Sequence, residues 1–127
     1  MNRADFQALT QIRLEEADIL LAAGKYEGAY YLAGYAVECA LKACIAKLTG
    51  LHDFPPKDTS NSYYTHNLDK LLTTAQLRVQ LESDRSGNPQ LDAYWTEVLL
   101  WNEGSRYLRK SPQDAQGLLQ AITDPTN

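Results

Sequence analysis

The run from Lys25 to Leu48 constrains this chain more than any other part of it. It contains no proline, it opens directly after Gly24, and a second glycine, Gly50, stands just past its end. Tyr26, Tyr30, Ala33, Val37, Leu41, Cys44 and Leu48 recur at three- and four-residue steps, the spacing that gathers side chains on one helix face. Tyr31, Tyr35, Glu38 and Lys42 form a second stripe on the neighbouring face, and Ala29, Gly34, Ala36 and Ala40 fill the gaps between. A helix that is apolar nearly all round has to be covered on several sides. The run is therefore expected to be the central helix of a bundle, or to serve a core and a subunit interface at once.

The flanking sequence supplies the other helices. From Ala4 to Ala22, the residues Phe6, Leu9, Ile12, Ala17, Leu20 and Leu21 keep near-helical intervals, and Gly24 is placed to take the left-handed conformation that ends a helix. An αα-hairpin follows. Residues 49–64 lose periodicity and carry Pro55-Pro56, which reads as a long loop. Thr65 is expected to cap a shorter helix containing Leu68, Leu71, Leu72 and Ala75. After the turn cluster Ser86-Gly87-Asn88-Pro89, a fourth helix carries Leu91, Tyr94, Trp95, Val98, Leu99 and Trp101 and ends near Gly104 to Tyr107. Ser111-Pro112-Gln113-Asp114 opens a last helix with Ala115, Leu118, Leu119 and Ile122. No segment alternates with period two. The expectation is an all-α, up-and-down bundle of four to five helices, one domain over residues 1–127.

Composition narrows the function. The chain has 127 residues, 44% of them hydrophobic and 22% charged, with a net charge of −4. That acidic balance argues against a broad, non-specific nucleic-acid binder. Cys39 and Cys44 stand five apart on one helix and point in different directions, so they are expected to be free thiols. The N-terminus has no signal-peptide core, and the longest charge-free apolar stretch, Gly28 to Val37, is about half a membrane span. A cytoplasmic protein with no membrane contact is expected. Neither a metal-ligand spacing, nor a glycine-rich phosphate loop, nor a nucleophile motif is present, and no metal or cofactor is expected.

Five polar residues stand where the local pattern favours apolar or neutral ones: Glu38, Lys42, His66, Arg106 and Tyr107. Glu38 and Lys42 are spaced i,i+4 with the acid first, the favourable order on a helix. His66 falls in the first turn of the short helix, and Arg106, Tyr107, Arg109 and Lys110 form a compact basic cluster at a helix end. His52, the other histidine, lies in the loop. Buried polar groups demand partners, and these five are able to satisfy one another in a ligand-binding cleft of net positive charge, suited to a phosphate. The alternative is a structural Glu38–Lys42 pair, with His66 and Arg106 facing solvent separately.

The run Ala33-Gly34-Tyr35-Ala36-Val37-Glu38-Cys39-Ala40-Leu41-Lys42-Ala43 resembles the second-helix signature of the HEPN family. Glu16-Ala17 with Leu20-Leu21 before Gly24, Thr65-His66-Asn67-Leu68, and Ser105-Arg106-Tyr107 fit the same pattern in order. The resemblance implies a small helical bundle, commonly a homodimer, often encoded beside a minimal nucleotidyltransferase as a toxin–antitoxin-like pair. Many members are metal-independent ribonucleases that use an arginine, a short spacer and a histidine. Here no histidine follows Arg106. The expectation is a non-catalytic or degenerate HEPN-type module that binds nucleotide, RNA or a nucleotidyltransferase partner. The alternative is a metal-independent ribonuclease that uses Arg106 with a displaced His66. Tyr31, Tyr35, Trp95 and Trp101 are the candidates for a dimer surface.

Overall fold

The structure is a computed structural model that describes residues 2–48 and 65–124. Among these, six α-helices and one 3-10 helix follow one another and no strand occurs: α1 (Arg3–Ala22), α2 (Tyr26–Leu48), α3 (Leu68–Thr74), α4 (Arg78–Gly87), α5 (Pro89–Leu99), the 3-10 helix (Glu103–Tyr107) and α6 (Pro112–Thr123). The expected all-α bundle is what the chain forms. The 49–64 loop, His52 and the Gly50 stop lie outside the described residues.

The hairpin between α1 and α2 follows from its glycine. Gly24 adopts φ +78°, and the Lys25 N–H donates back to Leu20 O at 2.8 Å, closing the last turn of α1. At the other end Asn2 caps α1: its Oδ1 accepts from Asp5 N, and Asp5 Oδ2 accepts from Asn2 N, both at 2.9 Å. α2 packs against α1, α3, α6 and the 3-10 helix, which is the central position expected of it. Its buried residues are mostly small, among them Ala29, Ala33, Gly34, Ala36, Ala43 and Ala46, while Tyr30, Leu41 and Ile45 fill the space between helices. Leu71 of α3 and Leu118 of α6 are fully enclosed in the same core, and burial of each contributes about 2 kcal/mol. Leu48 and Ala40, expected on covered faces, are exposed.

Three boundaries differ from expectation. Asn67, not Thr65, caps α3, accepting from Lys70 N at 3.0 Å, while the Thr65 hydroxyl accepts from Asn67 N. The expected fourth helix ends at Leu99, and Glu103–Tyr107 form the separate 3-10 helix. An additional helix, α4, begins after Gln76, whose φ of +61° breaks the chain direction between α3 and α4. No residue of α4 is fully buried; Leu81, with Leu77 just before the helix, packs partly buried against the core, too short an apolar stripe to announce a helix. Ion pairs add to that contact: Arg78 with Asp69 at 2.6 Å and Arg85 with Asp92 at 2.7 Å.

The start of α6 agrees with the sequence. The Ser111 hydroxyl accepts from Asp114 N at 3.1 Å, and Asp114 Oδ2 accepts from Ser111 N at 3.0 Å. The Ser111 backbone and hydroxyl hold the Asp114 carboxyl below its ordinary value of 3.8. Its contribution is therefore complete above that value and is lost as pH falls through the lower folded value. Ser111→Ala is expected to cost about 1 kcal/mol in chemical denaturation at pH 7, with a smaller difference from wild type in acid. A variant as stable as wild type at pH 7 contradicts the cap.

Candidate functional site

Glu38 is the one acidic side chain held inside the described part of the bundle, with 1% of its surface exposed. A buried carboxylate is stable only when paired and hydrogen-bonded. Lys42, one turn later on α2, donates from Nζ to Glu38 Oε2 at 3.2 Å. The second partner comes from across the bundle, where His66 Nδ1 meets Glu38 Oε1 at 2.8 Å. His66 is not in a helical turn as expected. It stands just before Asn67, the cap of α3, and this extended approach turns its ring toward α2. The other ring nitrogen, Nε2, faces Glu103 Oε2 at 3.6 Å. The imidazole thus sits between two carboxylates, one buried and one at the surface, with the Tyr35 ring 6.5 Å away.

Glu103 reaches this place through a chain of packing that starts at Gly34. Gly34 lies one turn before Glu38, and the Trp101 indole lies on it so closely that a Cβ there would collide with three ring carbons. Trp101 is 3% exposed and packs beside Tyr31 at 5.9 Å between ring centres. The next residues turn sharply into the 3-10 helix, where the Asn102 N–H donates to Ser105 Oγ at 3.2 Å and Ser105 is buried. That turn sets Glu103 against His66.

The enclosed carboxylate also acts on its neighbours. Burial, and then the charge of Glu38, push the Tyr35 hydroxyl above its ordinary value. The same two causes push the Cys39 thiol up to about 11, so Cys39 is a protonated, buried thiol at neutral pH. Cys39 and Cys44 are both free, as the spacing required.

Of the five residues expected to converge, the structure brings Glu38, Lys42 and His66 together. The backbone of Arg106 lies in the 3-10 helix three positions after Glu103, and its side chain is outside the described residues. Tyr107 is 76% exposed. The rest of the expected basic cluster turns elsewhere: Arg109 Nε pairs with Glu27 at 2.8 Å, and Lys110 lies over the Tyr30 ring at 4.3 Å. The positive balance expected of the cleft is not what its described side chains give, because Glu103 adds a second carboxylate against Lys42. Nothing in the sequence around Glu103 marks it. Only the fold brings it within reach of a residue 37 positions earlier.

The expected dimer surface also changes. Trp101 is core, and Tyr31, Tyr35 and Trp95 are half-buried against it. Among the exposed apolar side chains are Ile12 and Ile19 on α1, Leu48 at the end of α2, Val79 on α4, and Leu99, Leu100, Tyr107 and Leu108 around the 3-10 helix.

Around His66 the surface is concave. A recess of about 260 Å³ is lined by Thr65, His66, Asn67, Asn102, Glu103 and Gly104. A larger groove, of about 430 Å³, runs between Gln7 on α1 and Cys44 on α2 and shares no residue with it. Among the described residues no group of three or more His, Cys, Asp or Glu side chains is placed to hold a metal ion, and no helix is long and apolar enough to cross a membrane.

No curated protein and no solved structure matches the chain. The helix that buries Glu38, the His66 approach and the 3-10 turn that carries Arg106 all fall inside residues 10–122, which match the family model for the HEPN domain, and the chain belongs to that family.

Proposed function

We propose that this HEPN protein is a non-catalytic binding module that holds a nucleotide or an RNA end at the His66 recess. In this reading it works beside a minimal nucleotidyltransferase partner in a toxin–antitoxin-like pair. The observation that carries the reading is the placement of His66. Both ring nitrogens face carboxylates of the same chain, at 2.8 Å and 3.6 Å. General acid–base cleavage of RNA needs a proton-transfer group within hydrogen-bond reach of the substrate, and here one ring nitrogen is hydrogen-bonded to the buried Glu38 while a surface carboxylate, Glu103, stands beside the other. No histidine after Arg106 is available in its stead.

One observation favours the ribonuclease reading. Glu38 orients the His66 ring from behind, as a buried carboxylate orients a catalytic imidazole, and the Arg106 backbone belongs to the short helix that touches that ring. Single-stranded RNA incubated with the full chain in EDTA separates the two. Retention of intact RNA on the protein, weakened in His66→Ala and Arg106→Ala, is expected. Cleavage by wild type that disappears in both variants would overturn the binding reading.

The exposed Leu100, Tyr107 and Leu108 support a homodimer joined near the 3-10 helix. Light scattering at high concentration is expected to give twice the chain mass, and Leu100→Glu with Leu108→Glu to give the single mass. A wild-type protein monomeric throughout is evidence against this interface.

A further inference from the structure

A second concave surface lies on the far side of α2 from Glu38. With about 3.6 residues per turn, Ala40, Ala43, Cys44 and Lys47 fall on the half of the helix opposite Glu38. Together with Arg3, Gln7, Thr10 and Gln11 of α1 they line the groove of about 430 Å³. The groove exists because Ala40 and Ala43 are too short to fill the space between the two helices. α1 and α2 run antiparallel through the Gly24 turn, so the first turn of α1 meets the last turn of α2. Arg3 and Lys47 therefore stand at the same end of the groove.

The lining holds two cations and no carboxylate, in a chain whose net charge is −4. Neither Arg3 nor Lys47 forms an ion pair among the described residues, and neither glutamine amide is hydrogen-bonded there. Asp5, the acid nearest to Arg3 in sequence, is turned to the Asn2 N–H instead. Two cations at one end match a group with two negative charges. A phosphate monoester carries about −1.5 to −2 at neutral pH, whereas a carboxylate would leave one cation unmatched. Toward the other end the polar wall is neutral. Gln7 and Gln11 each offer a donor and an acceptor, and the Thr10 hydroxyl, whose proton goes to Phe6 O at 2.9 Å, offers only an acceptor. Such a wall fits a hydroxyl-bearing body, and the floor of Ala40, Ala43 and Cys44 gives its carbon face an apolar seat. The volume is that of a site for one small ligand.

We infer that the α1–α2 groove binds a phosphate monoester, with the phosphate between Arg3 and Lys47 and a sugar-like body between the glutamine amides. A free sugar phosphate or nucleotide and the 5′-phosphate of an RNA share that chemistry. The site shares no lining residue with the His66 recess and goes beyond the reading given for it.

The test is calorimetry on the full chain at low salt with ribose 5-phosphate, ribose and gluconate, the last a hydroxyl-bearing monoanion. Ribose 5-phosphate is expected to bind with affinity about tenfold above the other two, and to weaken as salt is raised. Arg3→Gln and Lys47→Gln each remove one charge and leave the core intact. Each is expected to lower that affinity about tenfold, the value of one charge-assisted hydrogen bond. Ala40→Phe, which fills the groove from its exposed rim, is expected to abolish binding. In a His66→Ala background the binding is expected to persist. RNA with a 5′-phosphate is then compared with the same RNA carrying a 5′-hydroxyl. A preference for the phosphate that Lys47→Gln removes makes the RNA end the source, and equal binding of the two RNAs makes it a small phosphate ester. Equal affinity for ribose 5-phosphate and gluconate overturns the site, as does binding that survives all three groove variants. Loss in His66→Ala with no change in the groove variants overturns it too, and leaves the His66 reading standing. If wild type binds no phosphate ester, the groove is refuted, while RNA retention weakened in His66→Ala still supports the recess.

Discussion

Gly34→Ala is expected to destabilise the fold by about 2–4 kcal/mol, more than an exposed glycine-to-alanine change in a helix, which normally stabilises. The new Cβ would collide with the ring carbons of Trp101, and the tryptophan is almost wholly enclosed, so moving it disturbs the core around it. Either the indole leaves its place or α2 bends, and both options release the turn that carries Glu103. Thermal denaturation is expected to show a midpoint about 10 °C lower. In a Trp101→Ala background the same substitution is expected to lose most of its effect, since the colliding ring is gone. If the penalty is equal in both backgrounds, the clash is not its cause.

Glu38→Ala is expected to cost about 3–5 kcal/mol, the usual range when one member of a buried ion pair is deleted. The loss comes less from attraction forgone than from Lys42 and His66, which are left turned toward an apolar interior. Glu38→Gln keeps the volume and an acceptor for the His66 ring, and is expected to cost about 1–2 kcal/mol. Glu38 and His66 are in direct contact, so their alanine variants are expected to be non-additive by about 1 kcal/mol or more in a double-mutant cycle. Additive losses mean that the pair does not act as a unit.

Much of the bundle was legible in the sequence because its signals are local. Gly24 marks its own turn through φ, Ser111 and Asp114 cap each other across three residues, and the crowded face of α2 requires neighbours whatever they are. The site was legible in part for the same reason. Glu38 and Lys42 share one helix face, and their pairing follows from spacing. His66 meets Glu38 from 28 residues away, and only the family resemblance and the demand of a buried charge for partners pointed to it. Glu103 was not legible, since its position depends on Trp101 finding the gap left by Gly34. α4 was missed for a different physical reason: a helix that sets one apolar side chain, Leu81, against the core has too short a stripe to read, and ion pairs to Asp69 and Asp92 have no sequence signature of their own.

That largely unburied helix determines where the protein is free to change. Because α4 sets only Leu81 against the core, and that in part, the rest of its sequence answers to helix propensity and to Arg78 and Arg85. Val79 is almost wholly exposed, and Gly87 has nothing around the space a side chain would fill. A tag or a fluorophore attached at Val79 or Gly87 would leave the His66 recess and the Gly34–Trp101 contact untouched. This makes α4 the natural handle for immobilising the protein while its other face stays open to a partner.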